Sequence, residues 1–207
     1  MTRQFSISAL TCAMVLGLIA ARGVIAQESS APLAMTSAKV SIAGTSNIHE
    51  FTASTTDVRV TRLALASGIG GPGLLAVVVN PGAVEAFDIA IRTAALSSPK
   101  EGIDKNMHKA LKAGEFKDIT FRLLRLEGKP ALRAIGMLKI AGVEREVAFD
   151  LKTATTAASL TVTGTVPLLM TDYGITPPKA MLGMLKTDPK ITVTFEVVLT
   201  APATATR

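Results

Sequence analysis

The chain has 207 residues, with 22 Lys and Arg against 16 Asp and Glu, one cysteine and no tryptophan. That length suits one domain with a substantial core. The bases are scattered without a cluster of four, and aromatic residues are 4% of the chain, which argues against a nucleic-acid footprint or a base-stacking platform.

Residues 1–26 read as a secretory signal peptide. Arg3 opens a short basic region, Ile7 to Ala21 is apolar, and Val24-Ile25-Ala26 precedes the polar Gln27. Cleavage near Ala26 would deliver a periplasmic or secreted protein. The apolar stretch is shorter than the ~20 residues a spanning helix wants. Cys12 lies inside it, so the mature chain would have neither a disulfide nor a thiol nucleophile. Losing Arg3 and Arg22 leaves 20 bases against 16 acids.

Gln27 to Ala34 reads as a loose leader. Val40 and Ile42 alternate with Lys39 and Ser41 in a first strand, which the polar run Gly44 to Phe51 interrupts. Thr52 to Leu65 resumes the pattern, with Val58 and Val60 in step. Ser67 to Gly73 is a loop holding a literal G-x-G-x-x-G at Gly68, Gly70 and Gly73. A dinucleotide site needs a helix next. Leu74 to Val79 reads instead as a strand.

Phe87, Ile89 and Ile91 mark another half-buried strand, ended by Ser97-Ser98-Pro99. Ile103, Met107, Ala110 and Leu111 then follow helical spacing, with Asp104, Lys105, Lys109 and Lys112 on the opposite face. Gly114 is expected to end this short amphipathic helix in a left-handed conformation. Four more alternating runs follow: Ile119-Phe121-Leu123, Leu132-Ala134-Leu138-Ile140 turning at Gly142, Val147-Phe149-Leu151, and Leu160-Val162-Val166-Leu168-Met170. Gly164 falls on the apolar face of the last.

Thr171 to Pro178 cannot continue a ladder, because Pro177 and Pro178 supply no backbone donor. Met181-Leu182-Gly183-Met184-Leu185 is then an apolar clump in a loop. It reads as a flap at the mouth of an interior. Ile191, Val193, Phe195, Val197 and Leu199 close the chain. Period-two runs without helical alternation call for an all-β antiparallel barrel or sandwich, one domain over 27–207.

Little in the mature chain advertises chemistry. Neither His49 nor His108 has metal-ligand spacing around it, and no G-x-S-x-G occurs. No catalytic residue, metal or cofactor is assigned. His49 is expected to hydrogen-bond and hold the Thr45–Glu50 corner, and His108 to be a solvated helix residue. Asp172 is expected to cap the turn before Gly174 through an Asx-turn. Met107, Met170, Met181 and Met184 could be core filler or the wall of an adaptable pocket.

Three blocks carry a family resemblance. They are Gly44-Thr45-Ser46-Asn47-Ile48-His49-Glu50-Phe51, Met107 through Phe121, and Gly164 through Lys186 with its M-T-D-Y-G-I-T-P-P. Together they resemble the YceI-like family of periplasmic polyisoprenoid-binding proteins, from about Lys39 to Leu199. The resemblance implies an extended, lipocalin-like antiparallel β-barrel whose lumen holds a long apolar chain.

The expected lining is Ile42, Phe87, Ile89, Ile91, Met107, Leu111, Phe121, Leu123, Leu138, Ile140, Phe149, Val162, Met170, Met181, Leu182, Leu185, Val193 and Phe195. The expected partner is an isoprenoid or fatty-acyl amphiphile, held for transport, storage or sequestration. Transient membrane-surface contact and a homodimer are compatible with this reading. The rivals are a structural or interaction module with a filled core and an enzyme acting on the same lipids.

Overall fold

In the computed structural model, which describes residues 33–128, 130–180 and 184–201, the period-two runs become ten antiparallel strands. They are β1 (Ala34–Ser46), β2 (Glu50–Thr55), β3 (Val58–Leu65), β4 (Val84–Arg92), β5 (Asp118–Glu127), β6 (Arg133–Ile140), β7 (Val143–Thr155), β8 (Leu160–Leu169), β9 (Lys179–Ala180) and β10 (Leu185–Thr200). Their order is β2-β1-β10-β8-β7-β6-β5-β4-β3, with β9 paired to β10. The signal peptide and Met181, Leu182 and Gly183 lie outside the described residues.

The two end strands of the sheet, β2 and β3, are neighbours in the chain. The sheet must therefore curl until its edges approach, giving the lipocalin-like barrel. The seam is stitched by the segment after β4. Ser54 and Ser97 exchange backbone hydrogen bonds of 2.8 and 3.0 Å, and the Arg92 N–H donates to the Asp57 carbonyl at 3.2 Å. Covering the edges this way withdraws their backbone groups from pairing with another chain.

Register keeps each apolar set on the inner face. Ile91 faces Ile119 and Ile89 faces Phe121 across β4–β5. Val193 faces Ile42 on one side and Val166 on the other. A slip of one residue would turn these side chains out to water. On the outer face, Arg59–Asp118, Arg92–Asp57, Arg122–Glu144, Arg125–Glu127 and Arg133–Asp150 form ion pairs. All are well exposed, so each contributes little to stability.

Three glycines make room for rings. A Cβ on Gly164 would collide with the Phe195 ring, one on Gly136 with Phe121, and one on Gly44 with Phe51. Phe149 lies 5.7 Å from Phe121 and 5.6 Å from Phe195, centroid to centroid. The three rings thus run in a row across β5, β7 and β10, passing over glycines of the intervening β6 and β8.

The helices differ from the sequence expectation in three ways. Leu74–Val77 is a one-turn helix, α1, not a strand. A continuous apolar run carries no period that separates helix from strand. Packing decides it: Leu74, Leu75 and Val78 are buried with Leu33, Leu160, Val197 and Leu199 at one end of the barrel. The same cluster corrects the loose-leader reading, since Leu33 is 2% exposed and Ala34 opens β1.

The expected amphipathic helix is present as α2 (Glu101–Ala110). Its left-handed terminator is Lys112, at φ 51°, and not Gly114. The Lys112 N–H reaches the Lys109 carbonyl at 3.1 Å and the Ala113 N–H the His108 carbonyl at 2.9 Å, the two bonds of a Schellman ending. The turn comes early because Leu111 is buried in the main core and Phe116 packs against it from the other side of the turn.

Finally, Met170 leaves β8 and begins a 3₁₀ turn that runs to Tyr173. Among the described residues, no helix is long and apolar enough to cross a membrane.

Candidate functional site

The inward faces of the strands do not fill the barrel. An upper cavity of about 380 Å³ lies beneath α2, and a lower one of about 170 Å³ lies toward α1. Val40, Ile91, Leu138, Leu168 and Val193 border both, forming a waist of side chains between the two cavities. The lower cavity is walled by aliphatic and phenylalanine side chains, with Thr153 the one polar residue among those described. The upper cavity is apolar within but ringed by Ser46, His49, Lys100, Asn106, Lys179 and Thr187.

Of the residues expected to line the lumen, Met181 and Leu182 fall outside the described residues. Every other one borders a cavity. Ile42, Met107, Leu111, Ile140, Met170 and Leu185 face the upper one. Phe87, Ile89, Phe121, Leu123, Phe149, Val162 and Phe195 face the lower one. Ile91, Leu138 and Val193 stand at the waist.

Sequence reasoning passed over Val40, Ile119, Val166 and Leu168, which share the parity of residues it named. It also missed Leu96, Tyr173 and Ile175, which enter the upper cavity from turns. No period marks a turn residue, so the sequence carried no signal for these three.

Among the described residues, Tyr173 is the one titratable group with a clearly shifted pKa. It is 3% exposed and its hydroxyl has no hydrogen-bond partner among the described residues. Burial first and the Asp172 charge second push its pKa from 10.0 up to about 12, against the opposing Arg145 charge.

The turn around Tyr173 is not capped by an Asx-turn as expected. No Asp172 side-chain hydrogen bond occurs among the described residues. Backbone bonds from Gly174 N–H to the Thr171 carbonyl and from Ile175 N–H to the Met170 carbonyl close it, with Gly174 at φ 66°. The Arg145 Nε donates to the Asp172 carbonyl at 3.1 Å. Glycine's freedom at positive φ lets the backbone satisfy itself here.

The two histidines also differ from expectation. The Thr45–Glu50 corner is held by Ser46, whose hydroxyl donates to the His49 carbonyl at 2.8 Å and accepts from the His49 N–H at 3.1 Å. The His49 ring itself is exposed, with Nδ1 3.1 Å from the Glu50 carbonyl, and it stands at the rim of the upper cavity. His108 is half-buried rather than solvated: its Nε2 lies 2.7 Å from the Leu96 carbonyl, which can only accept, so Nε2 carries the proton. That bond ties α2 to the turn beneath it. Among the described residues, no three His, Cys, Asp or Glu side chains are grouped so that they could hold a metal ion.

This geometry, a curled antiparallel barrel with an apolar lumen, agrees with a sequence profile described as the YceI-like domain, which matches residues 36–199. The chain belongs to the YceI-like family. No curated protein matches it in sequence.

The YceI-like barrel recurs in solved structures. BcnA of Burkholderia cenocepacia superposes with a TM-score of 0.61 at 12% identity, over 78% of this chain and 95% of that one. A polyisoprenoid-binding domain from Saccharophagus degradans, implicated in plant cell wall breakdown, gives 0.59 at 12% identity, over 83% and 99%. The YceI protein of Campylobacter jejuni gives 0.53 at 15% identity, over 74% and 82%. At such identities the likeness is one of fold.

Proposed function

We propose that this YceI-like chain is an exported binding protein that holds one long apolar chain, isoprenoid or fatty-acyl, in the barrel lumen. The observation that carries the reading is the pair of apolar cavities stacked on either side of a shared waist. The aromatic row and α1 stand at the lower end, and, among the described lining residues, polar side chains collect at the upper rim apart from Thr153. An amphiphile fits this gradient tail-first, with its head group among Ser46, His49, Lys100, Asn106 and Lys179. Each methylene taken from water contributes on the order of 0.8 kcal/mol, so affinity grows with chain length and needs few directional contacts.

The family and the polyisoprenoid-binding neighbour support the ligand class. Transport, storage and sequestration all use the same binding step. The reading as a binder rather than an enzyme rests on the lining: among the described residues, no nucleophile stands in hydrogen-bond contact with a base at the cavity wall.

The test is an organic extract of purified protein, analysed by mass spectrometry, followed by titration of emptied protein with polyprenols and fatty acids of graded length. A co-purifying lipid and affinity rising with chain length are expected. An extract without lipid, together with no uptake in the titration, would refute the proposal. A mature N-terminus at or within a residue or two of Gln27 tests the export half.

A further inference from the structure

Five large hydrophobic side chains are exposed among the described residues: Ile48, Val77, Leu124, Leu169 and Met184. Single exposed apolar residues are ordinary on a protein surface, whereas clusters mark contact sites. Three of these five gather at the polar rim of the upper cavity. Ile48, 59% exposed, is in the β1–β2 turn, and Met184, 65% exposed, directly precedes β10.

Asn47 holds the two segments together. Its Nδ2 donates to the Met184 carbonyl at 2.8 Å, its Oδ1 accepts from the Lys186 N–H at 2.8 Å, and its own N–H donates to the Lys186 carbonyl at 3.1 Å. Leu169 borders the cavity and pairs in register with Lys190 across β8–β10.

Charge accompanies these tips. Lys179, Lys186 and Lys190 are all exposed on the β9–β10 side of the rim, and none forms an ion pair among the described residues. The carboxylates on this side are Glu50, Asp172 and Asp188; Asp188 accepts from the Lys190 N–H at 2.8 Å, and Lys100 adds a further positive charge at the rim. Apolar tips amid net positive charge suit a surface that is greasy and anionic. A second copy of this chain, docked rim to rim, would bring like charges together.

We propose that this rim docks on an anionic lipid bilayer. Ile48, Leu169 and Met184 enter the headgroup layer, and the three lysines meet lipid phosphates. The mouth of the upper cavity then faces the bilayer, so an apolar chain passes between membrane and lumen without crossing water. The purpose of the docking rests on the lipid-binding reading; the docking itself is measured separately.

The experiment is co-flotation of purified protein with vesicles of phosphatidylcholine and phosphatidylglycerol in equal parts, beside vesicles of phosphatidylcholine alone. Uptake of a fluorescent fatty acid delivered from ethanol is measured without vesicles. Wild type should float with the anionic vesicles, less so at high salt. The doubly substituted Ile48→Glu, Met184→Glu protein should partition roughly tenfold or more weakly, while Leu124→Glu, on the outer wall, should float like wild type. All three should take up the fatty acid equally. Wild type that takes up the fatty acid yet floats no better than the double variant overturns the docking surface and leaves the lipid-binding reading standing. Flotation with the expected pattern but no uptake of fatty acid supports the surface and removes the lumen reading. Sedimentation showing a dimer that the double variant abolishes, without flotation of wild type, assigns the rim to a second copy and also overturns the proposal.

Discussion

Phe195 lies over Gly164, its partner across the β10–β8 ladder, and a Cβ on that glycine would strike the ring. The glycine is there for close approach and not for flexibility, since it is absent from the positive-φ residues. Its emptiness lets Phe195 reach Phe149 across β8, which places two aromatic rings on the wall of the lower cavity.

Gly164→Ala should therefore cost about 1–3 kcal/mol, the usual penalty for overpacking. Urea unfolding measures it. Adding Phe195→Leu, which removes the ring, should recover part of the loss. A single variant as stable as wild type would mean that the ring moves aside freely.

The ending of α2 separates two lysine-and-glycine readings. Lys112 pays for a left-handed backbone that glycine adopts at no steric cost, roughly 1 kcal/mol. Its ammonium sits 5.9 Å from the Phe116 ring centroid, an exposed contact that offsets about half of this. Lys112→Gly should raise stability slightly, by about 0.5 kcal/mol. Gly114→Ala should not destabilise, because Gly114 has no positive φ and open space around its Cα. A clear loss of stability in the thermal melt of Gly114→Ala would restore Gly114 as the terminator.

The chain contains a single tyrosine, so ultraviolet titration reads Tyr173 directly. Its phenol should ionise near 12 in the folded protein, against 10.0 for the ordinary value. The folded state then holds the proton more tightly than the unfolded chain. Stability from this group is complete below pH 10 and falls as pH rises from 10 through 12. Tyr173→Phe should flatten that part of the stability profile, and it should not destabilise at neutral pH, because the hydroxyl it removes has no partner. A phenol titrating at 10 in folded protein contradicts the burial.

Leu185 tests the mouth. It is half-buried on the wall of the upper cavity near the rim, so a carboxylate there would stay partly wet. Leu185→Glu should lower co-purifying lipid severalfold while the melting midpoint stays near wild type. Thr163→Glu, on the outer face of β8, should retain lipid. Unfolding of Leu185→Glu would make that position core.

The exposed His49 ring makes no bond that a buried group would lose. His49→Ala should leave the thermal melting midpoint nearly unchanged.

The sequence by itself determined the antiparallel strands, the α2 helix and most of the lumen-facing residues; periodicity left a barrel and a sandwich both open, and the family resemblance favoured the barrel. A strand puts alternate residues on one face whatever surrounds it, so Phe87-Ile89-Ile91 or Ile119-Phe121-Leu123 declare their inner side locally. Tertiary structure alone decided what local periodicity cannot encode. Leu74 to Val79 has no period, and it is the need to bury Leu74, Leu75 and Val78 against Leu33 and Leu160 that winds its first turn into a helix. Leu96, Tyr173 and Ile175 reach the cavity from turns whose direction depends on the strands around them. At the corner where a histidine had drawn attention, Ser46 bonds locally to His49, but Asn47 anchors it to Lys186, more than a hundred positions away. The end at which the lumen meets polar side chains follows from the same long-range closure, because only the curled sheet brings the β1–β2 turn, α2 and the start of β10 to one rim.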